Sequence, residues 1–114
     1  MATRKASYVV NNNRVVLCTW SGLLNGDDGS LESLAHLSEL TVRISGTFGV
    51  GGTIIIEDSD TNTLRDPQAA ALSFTAKGDK VILEKPSQIK PRVTGGDGTT
   101  NLVVEITGKP DFGG

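Results

Sequence analysis

Asp58, Asp60, Asn62 and Asp66 set oxygen donors at closely spaced, mostly alternate positions, which is how a calcium loop begins. A calcium hand also needs glycine at its sixth position and glutamate at its twelfth, and here those places hold Thr63 and Ala69. The cluster therefore reads as a solvated turn between strands. Gly46, Gly49, Gly51 and Gly52 suggest a phosphate cradle only until the neighbouring residues are read. A P-loop continues as Gly-Lys-Ser/Thr into a helix, and a dinucleotide turn also opens a helix. Here Thr53 and three isoleucines come next, a strand. His36 is the single histidine, no G-x-S-x-G elbow accompanies it, and its leucine-rich neighbours describe a packed or surface side chain. Cys18 stands alone beside Val16, Leu17 and Trp20, which excludes an intramolecular disulfide and points to a buried, inert thiol.

The remaining ionisable groups form no recognisable acid-base pair. Glutamates 32, 39, 57, 84 and 105 fall mostly at outward strand positions, where they favour solubility and discourage strand-to-strand aggregation. Lys77, Lys80, Lys85, Lys90 and Arg92 are concentrated in one stretch, but Asp79 and Glu84 interleave with them. A mixed-charge rim for a protein partner fits that pattern better than a nucleic-acid surface, and the formal net charge of −2 agrees. Trp20 and Tyr8 are too few, and too apolar in their surroundings, to make a carbohydrate platform. The expectation is a chain that is not an enzyme and needs no cofactor and no metal.

The elements that must carry these residues are strands. With 114 residues the chain makes one domain with a single core. Fourteen glycines, four prolines and only 4% aromatic residues suit short strands and tight turns. Leu40, Val42 and Ile44 alternate with Thr41, Arg43 and Ser45, the period of a strand buried on one face. Ile54 and Ile56 repeat that pattern after the glycine turn, so residues 40 to 57 read as a hairpin at the centre of the fold. Arg14 to Trp20 carries apolar groups on both faces and reads as an interior strand. Residues 23 to 30 are a loop by composition. Ser30 to Ser38 reads as a short helical turn or irregular loop that tucks Leu31, Leu34 and Leu37 against the sheets. Leu72 to Ala76, Val81 to Lys85 and Asn101 to Thr107 complete the strand pattern, and Pro91 marks Ile89 to Thr94 as an edge or bulged strand. The sum is an all-β, antiparallel β-sandwich of seven or eight strands with at most one short helical turn. Residues 1 to 7 form a flexible N-terminal arm, 8 to 108 the β-sandwich domain and 109 to 114 a C-terminal tail. No secretory signal and no apolar run long enough for a membrane span is present, so synthesis in a reducing cytoplasm is expected.

Five short motifs carry a resemblance. Ser45-Gly46-Thr47-Phe48-Gly49, Gly52-Thr53, Asp66-Pro67-Gln68, Leu72-x-Phe74-Thr75-Ala76-x-Gly78 and above all Ile89-x-Pro91-x-Val93-Thr94-Gly95-Gly96-Asp97 are similar to small virion proteins of tailed bacteriophages. The similarity covers residues 40 to 107 well and the N-terminal third loosely. It departs from the family pattern in the loop from Asp58 to Asn62, which is shorter and lacks a nearby aromatic residue.

Such proteins resemble the head decoration, or cement, proteins that lie on an icosahedral shell and lock neighbouring major capsid subunits together. The resemblance implies a sandwich of jelly-roll type and a place on the outer surface of the phage head, after synthesis in the host cytoplasm. It implies the major capsid protein as partner and a homo-oligomer, a trimer in preference to a dimer, with no direct contact to nucleic acid or membrane. Arg4 and Lys5 on the arm, Lys90 and Arg92 on the rim and Phe112 on the tail are the candidate partner contacts. The competing readings are another virion component, from the tail or neck, and a carbohydrate-binding β-sandwich module.

Overall fold

The computed structural model describes residues 2–10, 15–34, 37–84 and 86–110. The described residues are all-β and hold ten strands: β1 (Thr3–Arg4), β2 (Ser7–Val10), β3 (Val16–Leu23), β4 (Asp28–Gly29), β5 (Leu37–Thr47), β6 (Thr53–Asp58), β7 (Ser73–Phe74), β8 (Gly78–Val81), β9 (Ile89–Thr94) and β10 (Asn101–Pro110). They make two five-stranded sheets, ordered β1-β4-β9-β6-β7 and β2-β3-β10-β5-β8. Every pairing among these strands is antiparallel except β1 with β4, where Thr3 lies opposite Asp28 in parallel register. One core is built from both sheets, with Cys18, Trp20, Val42, Ile44, Val104 and Ile106 from one facing Ile54, Ile56, Phe74, Ile89 and Val93 from the other. This is the expected β-sandwich, and the period-2 reading of its strands is sound: in β9, Ile89, Pro91 and Val93 are buried while Lys90, Arg92 and Thr94 are partly exposed.

The central hairpin is the largest correction. β5 and β6 do not pair with each other: β5 lies between β10 and β8, and β6 between β9 and β7. The glycine turn is a corner that carries the chain from one sheet to the other. A second corner, residues 95 to 100, brings β9 across to β10 beside it. The two are locked together by Asp97, whose Oδ2 accepts the Val50 N–H at 3.0 Å, and by Thr100, whose hydroxyl donates to the Phe48 carbonyl at 2.8 Å. Gly49 has a φ of 72°, and a Cβ there would strike the Asp97 carboxylate. Gly52 packs so closely under the Phe48 carbonyl that a Cβ would collide with it. The glycines are required by this docking, and an aspartate already fills the space that a phosphate would need.

Further expectations change. β9 is an interior strand and not an edge. Ile89 exchanges hydrogen bonds with Glu32 on the β4 side, and the Val93 N–H donates to Asp27 on that same side. Pro91 lies between them with the same parity, so its missing donor falls where its ring abuts Gly29 and no ladder bond is needed. The 30–38 segment shows no helix among its described residues. Glu32 bridges to Ile89 and Leu37 begins β5; Leu34 and Leu37 are buried as expected, but Leu31 is exposed. Residues 1–7, expected as a flexible arm, include the strand β1 and the first residue of β2. β1 pairs with β4, Ser7 begins β2, and the Ala2 and Ala6 N–H groups donate to Asp27 and Ser30 side chains at 2.9 and 3.1 Å. At the other end β10 runs through Pro110, so strand replaces tail over residues 109 and 110.

Candidate functional site

Residues paired across a sheet share a face, and the register places one row of charges on the outer face of the first sheet. Glu57 lies opposite Lys90, and Arg92 opposite both Ile55 and Asp28. Lys90 Nζ is 3.0 Å from Asp28 Oδ2 and 3.5 Å from Glu57 Oε1. Arg92 Nε donates to both Glu57 oxygens at 3.1 and 3.2 Å. Glu57, expected at a solvated outward position, is 0% exposed. Its parity is outward, but Lys90 and Arg92 reach over it from the neighbouring strand and Thr63 bridges to it on the other side. A carboxylate stripped of water is tolerated only when charged, hydrogen-bonding partners replace the lost solvation, and here two cations do so.

The other candidate contacts do not join this row. Arg4 pairs across from Gly29, whose position faces the core side, and its Nε donates to the buried Asp27 at 3.0 Å. Lys5 is exposed. Phe112 lies outside the described residues, as do His36 and Lys85. Lys80 belongs to the opposite sheet, where it pairs with Asp66 at 3.5 Å and sits 6.0 Å from the centre of the Phe74 ring. The basic stretch 77 to 92 is thus divided between two sheets and makes no single patch among the described residues.

The aspartates that resembled a cation loop act as turn staples. Asp58 Oδ1 accepts the N–H groups of Asp60 and Asn62, each at 2.9 Å, and Asp66 Oδ1 accepts those of Gln68 and Ala70 at the same distance. Among the described residues no three His, Cys, Asp or Glu side chains converge as metal ligands do. Cys18 is fully buried, and that burial pushes its thiol up to about 12, far from a reactive thiolate at neutral pH.

Five aspartates are held below their ordinary value of 3.8. For Asp27 and Asp28 burial pulls the other way and is outweighed, by the Leu24 N–H and Arg4 in the first case and by Thr3 and Lys90 in the second. For Asp58 and Asp66 the main cause is a backbone donor, Asn62 and Ala70 respectively, and for Asp97 it is the Thr99 hydroxyl. A carboxyl with a depressed folded pKa binds protons more weakly folded than unfolded. Its contribution is present above the unfolded value and vanishes as pH falls through the folded one. The thermal midpoint should therefore hold steady from neutral pH down to about pH 4 and fall steeply below it. A melting series that stays flat at more acidic pH would contradict this assignment.

The apolar β2 edge of the second sheet escapes a reading of the sequence. β2 is exposed along its length, with Tyr8 at 45%, Val9 at 56% and Val10 at 63%, and among the described strands it pairs with β3 alone. The opposite edge, β8, is exposed as well but carries Asp79 and Lys80. Local sequence groups Tyr8 with Trp20 as a side chain for the interior; of the two, Trp20 is there, at 0% exposure. The available signal was the uncharged run from Ala6 to Asn13. No family model and no curated protein matches this chain.

Proposed function

We propose that this chain is a bacteriophage head decoration, or cement, protein of jelly-roll type, which binds the outer surface of the icosahedral head and stabilises contacts between major capsid subunits. The observation that carries the reading is the uncharged, exposed edge strand β2 of the second sheet, Ser7–Val10. Exposed apolar side chains on an edge strand invite pairing or burial by another chain, and soluble sandwiches ordinarily blunt such edges with charge or proline. The resemblance supports it further. Three of its five motifs, Ser45 to Gly49, Gly52-Thr53 and Ile89 to Asp97, converge on the double corner between the sheets, so the likeness falls on residues this fold depends on.

In this reading the protein glues and does not transform. The turns and edges of a stiff sandwich meet two or three shell subunits, and capsid symmetry multiplies each small contact into avidity. Self-association, as a trimer in preference to a dimer, adds to that gain. The test is occupancy on purified heads, with cryo-electron microscopy to locate the density. Replacing Val9 and Val10 together by lysine should lower occupancy by about tenfold or more while circular dichroism stays unchanged, because each buried valine is worth about 1.5 kcal/mol or more and every copy loses two. Undiminished occupancy would remove the edge from the interface. Density confined to the tail or neck would favour the alternative virion component.

A further inference from the structure

The weakest ladder among the described strands is the one between β4 and β9, which is registered by a single residue pair, Asp28 with Arg92. Lys90 and Asp28 meet across that ladder. Their side chains are 17% and 19% exposed, Nζ and Oδ2 are 3.0 Å apart, and the fully buried Glu57 lies 3.5 Å from the same nitrogen. We propose that Lys90 and Asp28 close an intramolecular amide bond, with Glu57 as the proton relay. The proposal concerns the chain alone and does not depend on what the protein binds.

Each group is positioned for its part. The three come from adjacent strands β4, β9 and β6, so the ladder and not a loop sets their spacing, and proximity of this kind replaces a bimolecular encounter. Arg92 grips both oxygens of Glu57 and orients the carboxylate. The Thr3 hydroxyl donates to Asp28 Oδ1 at 2.7 Å, the oxygen that gains negative charge when the carboxyl carbon becomes tetrahedral. One ammonium proton of Lys90 passes along the 3.0 Å hydrogen bond to Asp28 Oδ2 and makes the carboxyl an electrophile, the freed lone pair of Nζ attacks Asp28 Cγ to form the C–N bond, and a second proton passes from the nitrogen to Glu57. The Cγ–Oδ2 bond then breaks. Oδ2 leaves as water with the proton it already carries and the one held by Glu57, and Glu57 returns to its carboxylate form. One ammonium and one carboxylate become a neutral amide and a water molecule, and no oxidant or other reactant is needed. The depressed pKa of Asp28 keeps it ionised at neutral pH, so its carbon is open to attack only once the Lys90 proton reaches Oδ2. Converting the pair to an amide also removes two charges from a place where hydration is poor.

The experiment is the intact mass of the full chain in denaturant after purification and incubation at neutral pH. The wild-type chain should be lighter than its sequence by one water, and a digest should yield a branched peptide joining the Asp28 and Lys90 segments. Lys90→Arg keeps the positive charge but not the nucleophile, and Glu57→Gln removes the proton relay, so both should show the full sequence mass. A wild-type chain at full mass would overturn the proposal. So would a water deficit that persists in Lys90→Arg, since cyclisation at Asp28-Gly29 or Asp97-Gly98 also expels water. Should either variant fail to fold, the wild-type mass and the branched peptide decide by themselves.

Discussion

Replacing Trp20 by alanine should remove about 3–5 kcal/mol of stability, the range for truncating a fully buried tryptophan. Trp20 is 0% exposed and sits on β3, yet its contacts cross to the other sheet. Its Nε1–H donates to the Ser30 carbonyl at 3.0 Å, and its Cδ1 lies over Gly29 so closely that a Cβ there would strike it. The indole thus fills the space between the sheets and also satisfies a backbone acceptor just beyond β4. Alanine would leave a cavity and an unpaired carbonyl together. A domain of this size commonly has about 5–15 kcal/mol in total, so the variant should unfold at a much lower urea concentration. Phenylalanine should restore most of the volume and lose chiefly the hydrogen bond, at about 1–2 kcal/mol. Urea titration followed by far-ultraviolet circular dichroism reads both variants. A Trp20→Ala midpoint within error of the wild type would mean that the two sheets are not held together here.

The longer strands were legible because burial on one face leaves a period of two, and β9 and β10 display it without interruption, whereas β8, exposed along Gly78–Val81, overlaps the expected strand Val81 to Lys85 at one residue only. Their partners were not legible. Val42 and Ile44 on one side of the glycine turn and Ile54 and Ile56 on the other have the same pattern whether they pair in one sheet or face each other across the core. The choice is made far along the chain, where β10 runs beside β5 from Leu37 to Thr47 and β9 beside β6 from Thr53 to Asp58. Asp28-Gly29 shows the same limit. In a polar loop nothing marks two residues as a strand until Thr3, Arg4 and Arg92 are seen alongside. Of the candidate contacts, Lys90 and Arg92 were readable as outward residues of one strand. The burial of the acid that they share was not, because parity shows which face Glu57 takes and says nothing of what lies over it.

That covered acid gives the second large effect. Arg92→Ala removes the guanidinium that grips Glu57 and leaves Lys90 Nζ, 3.5 Å away and already engaged with Asp28, as the cation nearest to it among the described residues. Breaking a buried ion pair from one side commonly costs about 3–5 kcal/mol, because the remaining charge is neither solvated nor paired. The Arg92 side chain is 40% exposed, so its loss lets some water reach Glu57, and about 2–3 kcal/mol is the expected cost. Adding Glu57→Met to Arg92→Leu should recover most of that loss, since two apolar side chains of similar length no longer need desolvated charges to be matched. Urea midpoints for the two single variants and the pair form a double-mutant cycle, and the coupling should be well above about 1 kcal/mol. Should the Lys90–Asp28 amide be present, Lys90 no longer carries a charge, and Arg92 is left as the cation paired with Glu57. Arg92→Ala would then fall at the upper end of the range, while Lys90→Arg, which restores a second cation, would make the same substitution milder. An Arg92→Ala variant as stable as the wild type would show that Glu57 is not sealed from water.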